Sequence, residues 1–380
     1  MDPFEPVTGP AKGDSMPFSS LPPRVSPEAI DDLQRRLQQF RAPALPPGHE
    51  WDRGVDPRQL EELVGYWATE YDWRIHEARI HGFGWAMGGA ERPLRVVHRR
   101  AAGAKDTVLL LHGWPDSVLR FERILPRLTD MNVVVPALPG FPFAAPLPEG
   151  GLSSNEMADV LADAMVDLGY ERYVVSAGDV GCDVAEALAE HPGAVTALHL
   201  TDVSQYHFLV DLPADLSPEE QEYVRFGHRW QAEEGGYMHE QSTRPQTLAV
   251  GLADSPAGLA AWILEKLRNW TDCDGDVGSV FTRDELLTWI SAYWFSGCIG
   301  TSFTPYAAGG DKSWPRIQAP AAFTVFPKDL VNAPRAFADR FFTVTEWTEP
   351  ARGGHFAAWE QPDDYLAGVR SAIQLSRSTA

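Results

Sequence analysis

Basic residues are in short supply in this chain. Lys plus Arg number 32 against 53 Asp plus Glu, a net charge of −21. That balance disfavours nucleic acid and anionic membrane as partners, and it says nothing about fold. Cysteine is scarcer still. Cys182, Cys273 and Cys298 are the whole set, with no metal-ligand spacing and no sign of a disulfide framework. A reducing, cytoplasmic setting is the simplest expectation. No apolar run reaches the ~20 residues that span a bilayer, and the N-terminus carries no signal-peptide pattern. A phosphate-binding glycine loop and a dinucleotide fingerprint are both missing. "DCDGDVG" at Asp272 resembles a calcium loop, but its sixth position is Val277 and Arg283 stands where a bidentate Glu belongs. No metal and no organic cofactor are expected.

What is present is an ordinary globular composition, 44% hydrophobic over 380 residues. By length this is about two or three domain-sized units, or one enlarged α/β domain. Residues 1–20, opening "MDPFEPVTGPAKGDSM", read as disordered. Residues 21–100 read as an N-terminal helical domain. Ser26, Pro27 and Glu28 form a helix start, and Ile30, Leu33, Leu37 and Phe40 recur at helical spacing. After a Pro-rich connector, Leu60, Leu63, Val64, Trp67 and Tyr71 line the face of a second helix. These helices need a surface to cover, and are expected to form a layer on a main domain.

That domain begins within 101–204. "TVLLL" from Thr107 is a continuous apolar run, as in a strand buried on both faces of a parallel sheet. Similar runs at Asn132 to Gly140, Arg172 to Asp179 and Val195 to Asp202 alternate with helical segments, which implies a mostly parallel α/β sheet. Between 205 and 315 helical pieces dominate, one of them opening on a Thr282/Glu285 capping box. This block reads as a lid inserted into the sheet domain. Strand patterns return in 316–380, at "AAFTVF" and "FFTVTEW".

Within "VVSAGDVGCDVAEALAEH", Asp179 sits at the turn between an apolar strand and a helix, among Ala177, Gly178 and Gly181. A strand, a turn of small residues around one reactive side chain, and a helix make a nucleophile elbow. Esterases place Ser there. A carboxylate at that point suits attack on an sp³ carbon that bears a leaving group. The plainer alternative is that Asp179 only caps the following helix. Three further stretches favour the catalytic reading. "HGWP" at His112 follows the first apolar strand, where this fold supplies one oxyanion-hole N–H, from Trp114; Val180, after the nucleophile, supplies the other. "GGHF" puts His355 in a flexible loop after the last strand, the place of a base. "VFPKDL" puts Asp329 in the loop after the preceding strand, where it can orient His355; Asp202 competes for that role. His112 and His239 receive no catalytic role.

Taken together these stretches give the chain its resemblance. From roughly Leu21 to Leu375 it resembles the microsomal-type epoxide hydrolases of the α/β-hydrolase superfamily, N-terminal domain included. The likeness rests on "DDLQRRL", "LVGYWATEYDWR", "HGWP", the Asp elbow, "GGYMHEQSTRPQTL", "DSPAGLAAWILEKLRNW", "VFPKDL" and "GGHFAAWEQP". The family implies an α/β-hydrolase fold, and two lid tyrosines that hydrogen-bond the epoxide oxygen. By motif these fall on Tyr237 and Tyr306. It implies conversion of a small-molecule epoxide and water to a vicinal diol, through an ester on Asp179 that His355, held by Asp329, then hydrolyses. A homodimer is compatible with this picture. Three departures stand out. Val180 replaces the usual Trp, which should open space beside Asp179 and suits a specialised natural-product substrate. Asp116-Ser117 replaces Gly-Ser after HGWP. "GWAMGGAERPLRVVHRR" departs from the usual end of the N-terminal domain. The N-terminal membrane anchor of mammalian members is not expected, and the chain reads as a bacterial member. A haloalkane dehalogenase shares the Asp nucleophile, and a non-catalytic binding protein could keep the fold, so both remain as alternatives.

Overall fold

The computed structural model describes residues 19–44, 50–147, 150–210, 212–309 and 315–378. The expectation of disorder for residues 1–20 falls outside these, except at its last two positions.

Eight strands form one sheet: β1 (Trp85–Gly88), β2 (Leu94–Arg99), β3 (Thr107–Leu111), β4 (Asn132–Pro136), β5 (Tyr173–Ala177), β6 (Val195–Leu200), β7 (Pro320–Thr324) and β8 (Thr343–Thr348). Their spatial order is β1-β2-β4-β3-β5-β6-β7-β8. From β4 to β8 every pairing is parallel, and β2 joins β4 antiparallel. All residues of β3 and β5 are buried, because helices cover both faces. The strands end earlier than their apolar runs. The residues that follow Leu111, Ala177 and Leu200 turn out of the sheet and carry the loops described below.

The sheet also starts earlier in the chain than the strand runs suggest. β1 and β2 lie in the 21–100 block, yet β2 pairs Val97 with Val135 of β4. Leu94, Val96 and Val97 are buried there. The helical part of that block is Pro27–Gln38, Pro57–Thr69 and Trp73–His81. Ser26 caps the first helix and Asp56 the second. This layer rests on the lid. Tyr71 Oη meets Thr288 Oγ1 at 3.1 Å, Tyr66 Oη donates to Asp284 at 2.9 Å, and Arg36 pairs with Asp254 at 2.9 Å.

The lid lies between β6 and β7. Its main helices are Pro218–Glu233, Gly236–Thr243, Pro245–Asp254, Pro256–Asn269 and Arg283–Ser296, the last opened by the Thr282/Glu285 capping box. Among the described residues, no single helix is long and apolar enough to cross a membrane, and no group of His, Cys, Asp and Glu is arranged to hold a metal ion.

Candidate active site

Parallel strands β3, β5, β6, β7 and β8 deliver their following loops to one edge of the sheet, the usual place for a site in an open α/β fold. At the tip of β5, Asp179 has φ 57 and ψ −134, a conformation that an L-residue holds only when its surroundings impose it. Gly181 is part of that imposition: a Cβ there would come within 2.7 Å of the carbonyl oxygens of Leu111 and His112. The Asp179 side chain makes no capping bond to the helix Val180–Ala189, which removes the capping alternative. Instead its Oδ1 accepts the Trp114 N–H at 2.7 Å. The Val180 N–H also favours its charged form. Gly113, next to Trp114, lets the two loops approach, since a Cβ there would strike the Asp179 carboxylate.

His355 stands beside this carboxylate. Its Nε2 lies 3.6 Å from Asp179 Oδ2 and has no hydrogen-bond partner among the described residues; its Nδ1 donates to Asp329 Oδ1 at 2.8 Å. Asp202 does not contact the ring. Its carboxylate accepts the backbone N–H of Asp179 at 3.2 Å and the thiol of Cys182. The competitor for the orienting role thus braces the elbow.

The lid completes the site. Tyr237, in the helix Gly236–Thr243, and Tyr306, in the helix Thr304–Ala307, are both buried, with ring centres 6.1 Å apart. They line one cavity of about 60 Å³ together with Asp179, Val180, Val203, Tyr206, Met238 and Leu330. Tyr306 Oη has no partner among the described residues. Trp114 stacks parallel to Tyr237 at 5.4 Å and meets Tyr306 edge-on. Val180, where extra room beside Asp179 is expected, is among the residues that line this cavity.

A family model described as "Epoxide hydrolase N terminus" matches residues 19–121, and one described as "alpha/beta hydrolase fold" matches residues 106–244. The chain is 37% identical to a candidate epoxide hydrolase of Stigmatella aurantiaca, over 93% of this chain and 84% of that protein. The chain belongs to the epoxide hydrolase family. It is also similar to epoxide hydrolase 1 of Sus scrofa, at 27% identity over 97% of this chain and 91% of that one. Among solved structures, the juvenile hormone epoxide hydrolase of Bombyx mori superposes with a TM-score of 0.83 at 27% identity, covering 94% of both chains. The Aspergillus niger epoxide hydrolase gives 0.81 at 26% identity, covering 93% of this chain and 97% of that one.

In this epoxide hydrolase the site's charges are tightly interdependent. Burial raises the Asp179 carboxyl above its ordinary range, although His355 and the two backbone N–H groups work against that rise. Burial would lower His355, but the Asp329 and Asp179 carboxylates outweigh it and push the imidazole up to about 9. Asp329 is held below the usual carboxylate range: burial opposes this, and His355 outweighs burial. Asp202, buried and close to Asp329, is raised to about 7. Burial also lifts both phenols well above their ordinary value.

Residues outside the sequence-based set hold these parts in place. Arg120 and Asp116 are buried under the HGWP loop and pair at 2.6 Å. Asp116 also accepts the Gly113 N–H at 2.9 Å, and Arg120 donates to the carbonyl of His355. Asp116 draws notice in the sequence only as a departure from Gly; its i,i+4 spacing from Arg120 was the available clue. Glu360 accepts N–H groups of Gly354, Phe356 and the lid residue Asp272, which ties the base loop to the lid.

Proposed function

We propose that the protein hydrolyses an epoxide to a vicinal diol through an ester on Asp179, with the lid tyrosines as acids and His355 as base. The observation that carries this is the placement of the Asp179 carboxylate. It is held by the Trp114 N–H, faced by His355, and shares its cavity with two phenols. Asp179 attacks an epoxide carbon, the ring C–O bond breaks, and Tyr237 or Tyr306 gives the oxygen its proton. The apolar wall of Val180, Val203, Met238 and Leu330 suits the hydrocarbon flanks of such a substrate.

The ester is then hydrolysed. His355 removes a proton from water, whose oxygen attacks the Asp179 carbonyl carbon. The tetrahedral oxyanion forms against the N–H groups of Trp114 and Val180, each such donor being typically worth about 3 kcal/mol. Collapse breaks the bond to the diol oxygen, which takes its proton from the imidazolium; the proton left on the Asp179 carboxyl, the second one from water, passes to the tyrosine phenolate, so that both the carboxylate and the phenol are restored. Asp329 keeps the imidazole in the orientation this needs. The three cysteines are free and buried, which suits a reducing cytoplasm, and the Val180 side of the cavity suits a specialised natural-product epoxide.

Diol formation from a panel of epoxides, run beside halide release from haloalkanes, tests this reading. Diol without halide is the expected result. Halide release without diol would transfer the same nucleophile to dehalogenation, and binding without either product would make the fold a receptor.

A further inference from the structure

Lys266 lies on the lid helix Pro256–Asn269 and is buried. Its ammonium pairs with Glu265 at 2.7 Å. The Glu234 carboxylate also interacts with this charge, and the other close neighbours are aromatic rings. Nζ is 4.8 Å from the ring centre of Tyr237 and 5.8 Å from those of Trp262 and Trp270. A desolvated ammonium is attracted to ring faces by their quadrupole, so part of this arrangement is ordinary packing. Tyr237, however, is one of the two phenols over Asp179.

The other neighbours make Tyr237 a weak acid. After burial, the groups that oppose its ionisation are Asp179, Tyr206, Asp329 and Glu265. Tyr306 stands edge-on to it, and Trp114 and Trp270 add uncharged faces. Among the described residues, Lys266 is the cation over its ring. As the phenol passes its proton to the epoxide oxygen, negative charge spreads over the ring that faces this ammonium.

We infer that Lys266 strengthens Tyr237 as the acid for epoxide opening, by holding an ammonium against its ring. Lys266 does not touch the reacting atoms; it is a positioning residue that acts through Tyr237. The inference rests on the proposed reading of Tyr237 as an acid.

The test uses single turnovers with epoxides graded by the basicity of the alkoxide they release. Lys266→Met should form the ester about 10-fold more slowly with the most basic alkoxide, a loss of the size expected from a screened charge in partial desolvation. It should form it at nearly the wild-type rate with the least basic. The dependence on basicity becomes steeper, decay of the ester is unchanged, and Lys266→Arg recovers most of the rate. Glu265→Gln, which removes the carboxylate that offsets the ammonium, should act in the opposite direction, with faster ester formation and a shallower dependence. If Lys266→Met does not fold, Lys266→Gln takes its place, because Glu265 acts on Tyr237 directly and its variant alone cannot decide. Wild-type dependence in these variants, or an equal slowing of both steps, overturns the inference. Tyr237→Phe serves as the control: if it forms the ester at the wild-type rate, the reading of Tyr237 fails and the inference falls with it, whereas a slow Tyr237→Phe beside an unchanged Lys266→Met overturns the inference alone.

Discussion

The carboxylate of Asp116 and the guanidinium of Arg120 meet at 2.6 Å beneath the active site, both buried. Through this pair the loop that carries Trp114 and the loop that carries His355 share one anchor, since Asp116 accepts the Gly113 N–H and Arg120 donates to the His355 carbonyl. A single substitution here leaves an uncompensated buried charge. Arg120→Met and Asp116→Ala should each cost about 3–5 kcal/mol of stability, whereas the double variant should recover a large part of that loss. Urea denaturation measures all three. Single variants within 1 kcal/mol of wild type, roughly the level of an exposed pair, would mean the pair is not held as a unit.

Under the proposed mechanism Asp179 should carry the covalent intermediate. In one turnover in heavy-oxygen water, label should enter the Asp179 carboxylate, and the first diol should be mostly unlabelled. Mass spectrometry of the peptide that contains Asp179 reads this directly. Label that appears first in the diol would make Asp179 a base for direct attack by water.

His355→Gln should leave ester formation possible and block its hydrolysis, so the protein becomes heavier by one substrate. Asp329→Asn should show the same effect in weaker form, because Asp329 contacts Nδ1. Asp202→Asn should not accumulate ester, since Asp202 serves the Asp179 backbone. The reverse pattern in intact-mass spectra would reassign the orienting acid.

Tyr237→Phe and Tyr306→Phe should each slow ester formation, and the double variant should be nearly inactive. An opened epoxide oxygen stays attached as an alkoxide and needs a proton, whereas hydrolysis of the ester uses His355 and the oxyanion donors. Rapid-mixing kinetics separates the two steps. Wild-type ester formation in both single variants would remove the tyrosines from the mechanism.

The pH dependence should differ between the two halves of the reaction. In the free enzyme burial works to lower His355, yet the carboxylates of Asp329 and Asp179 raise it to about 9, so the imidazolium dominates at neutral pH. Esterification removes the Asp179 charge, and the imidazole then loses its proton more readily. Since hydrolysis needs the neutral base, its rate should rise with pH around a midpoint at least one unit below the free-enzyme value, about the change that loss of one nearby charge produces. Ester decay measured from pH 5 to pH 10, the range that brackets an ordinary and a raised imidazole, gives this midpoint. A value at or above that of the free enzyme would show that Asp179 does not control His355.

The sequence by itself determined whatever depends on neighbours along the chain. Ser26 and Thr282 start helices because a cap bonds to an N–H about three residues on. The apolar run Thr107–Leu111 is a strand covered on both faces. Gly178 and Gly181 flag the elbow, since a side chain would meet Thr201 and Arg120 at the first and the Leu111 and His112 carbonyls at the second. The tertiary structure decided what depends on which strands become neighbours. Asp202 and Asp329 each follow an apolar strand, and loop position alone favours Asp329 without showing what Asp202 does. β6 lies beside β5, which puts Asp202 under the backbone of Asp179. β7 lies beside β8, and the bridge between Lys328 and Gly354 brings Asp329 against His355. β1 and β2 were absorbed into the sheet for a similar reason: only the free edge of β4 reveals where Leu94, Val96 and Val97 can be buried. The placement of Lys266 over Tyr237 joins residues 29 positions apart on different lid helices. Pairing across that separation is set by how helices pack, and no local pattern encodes it.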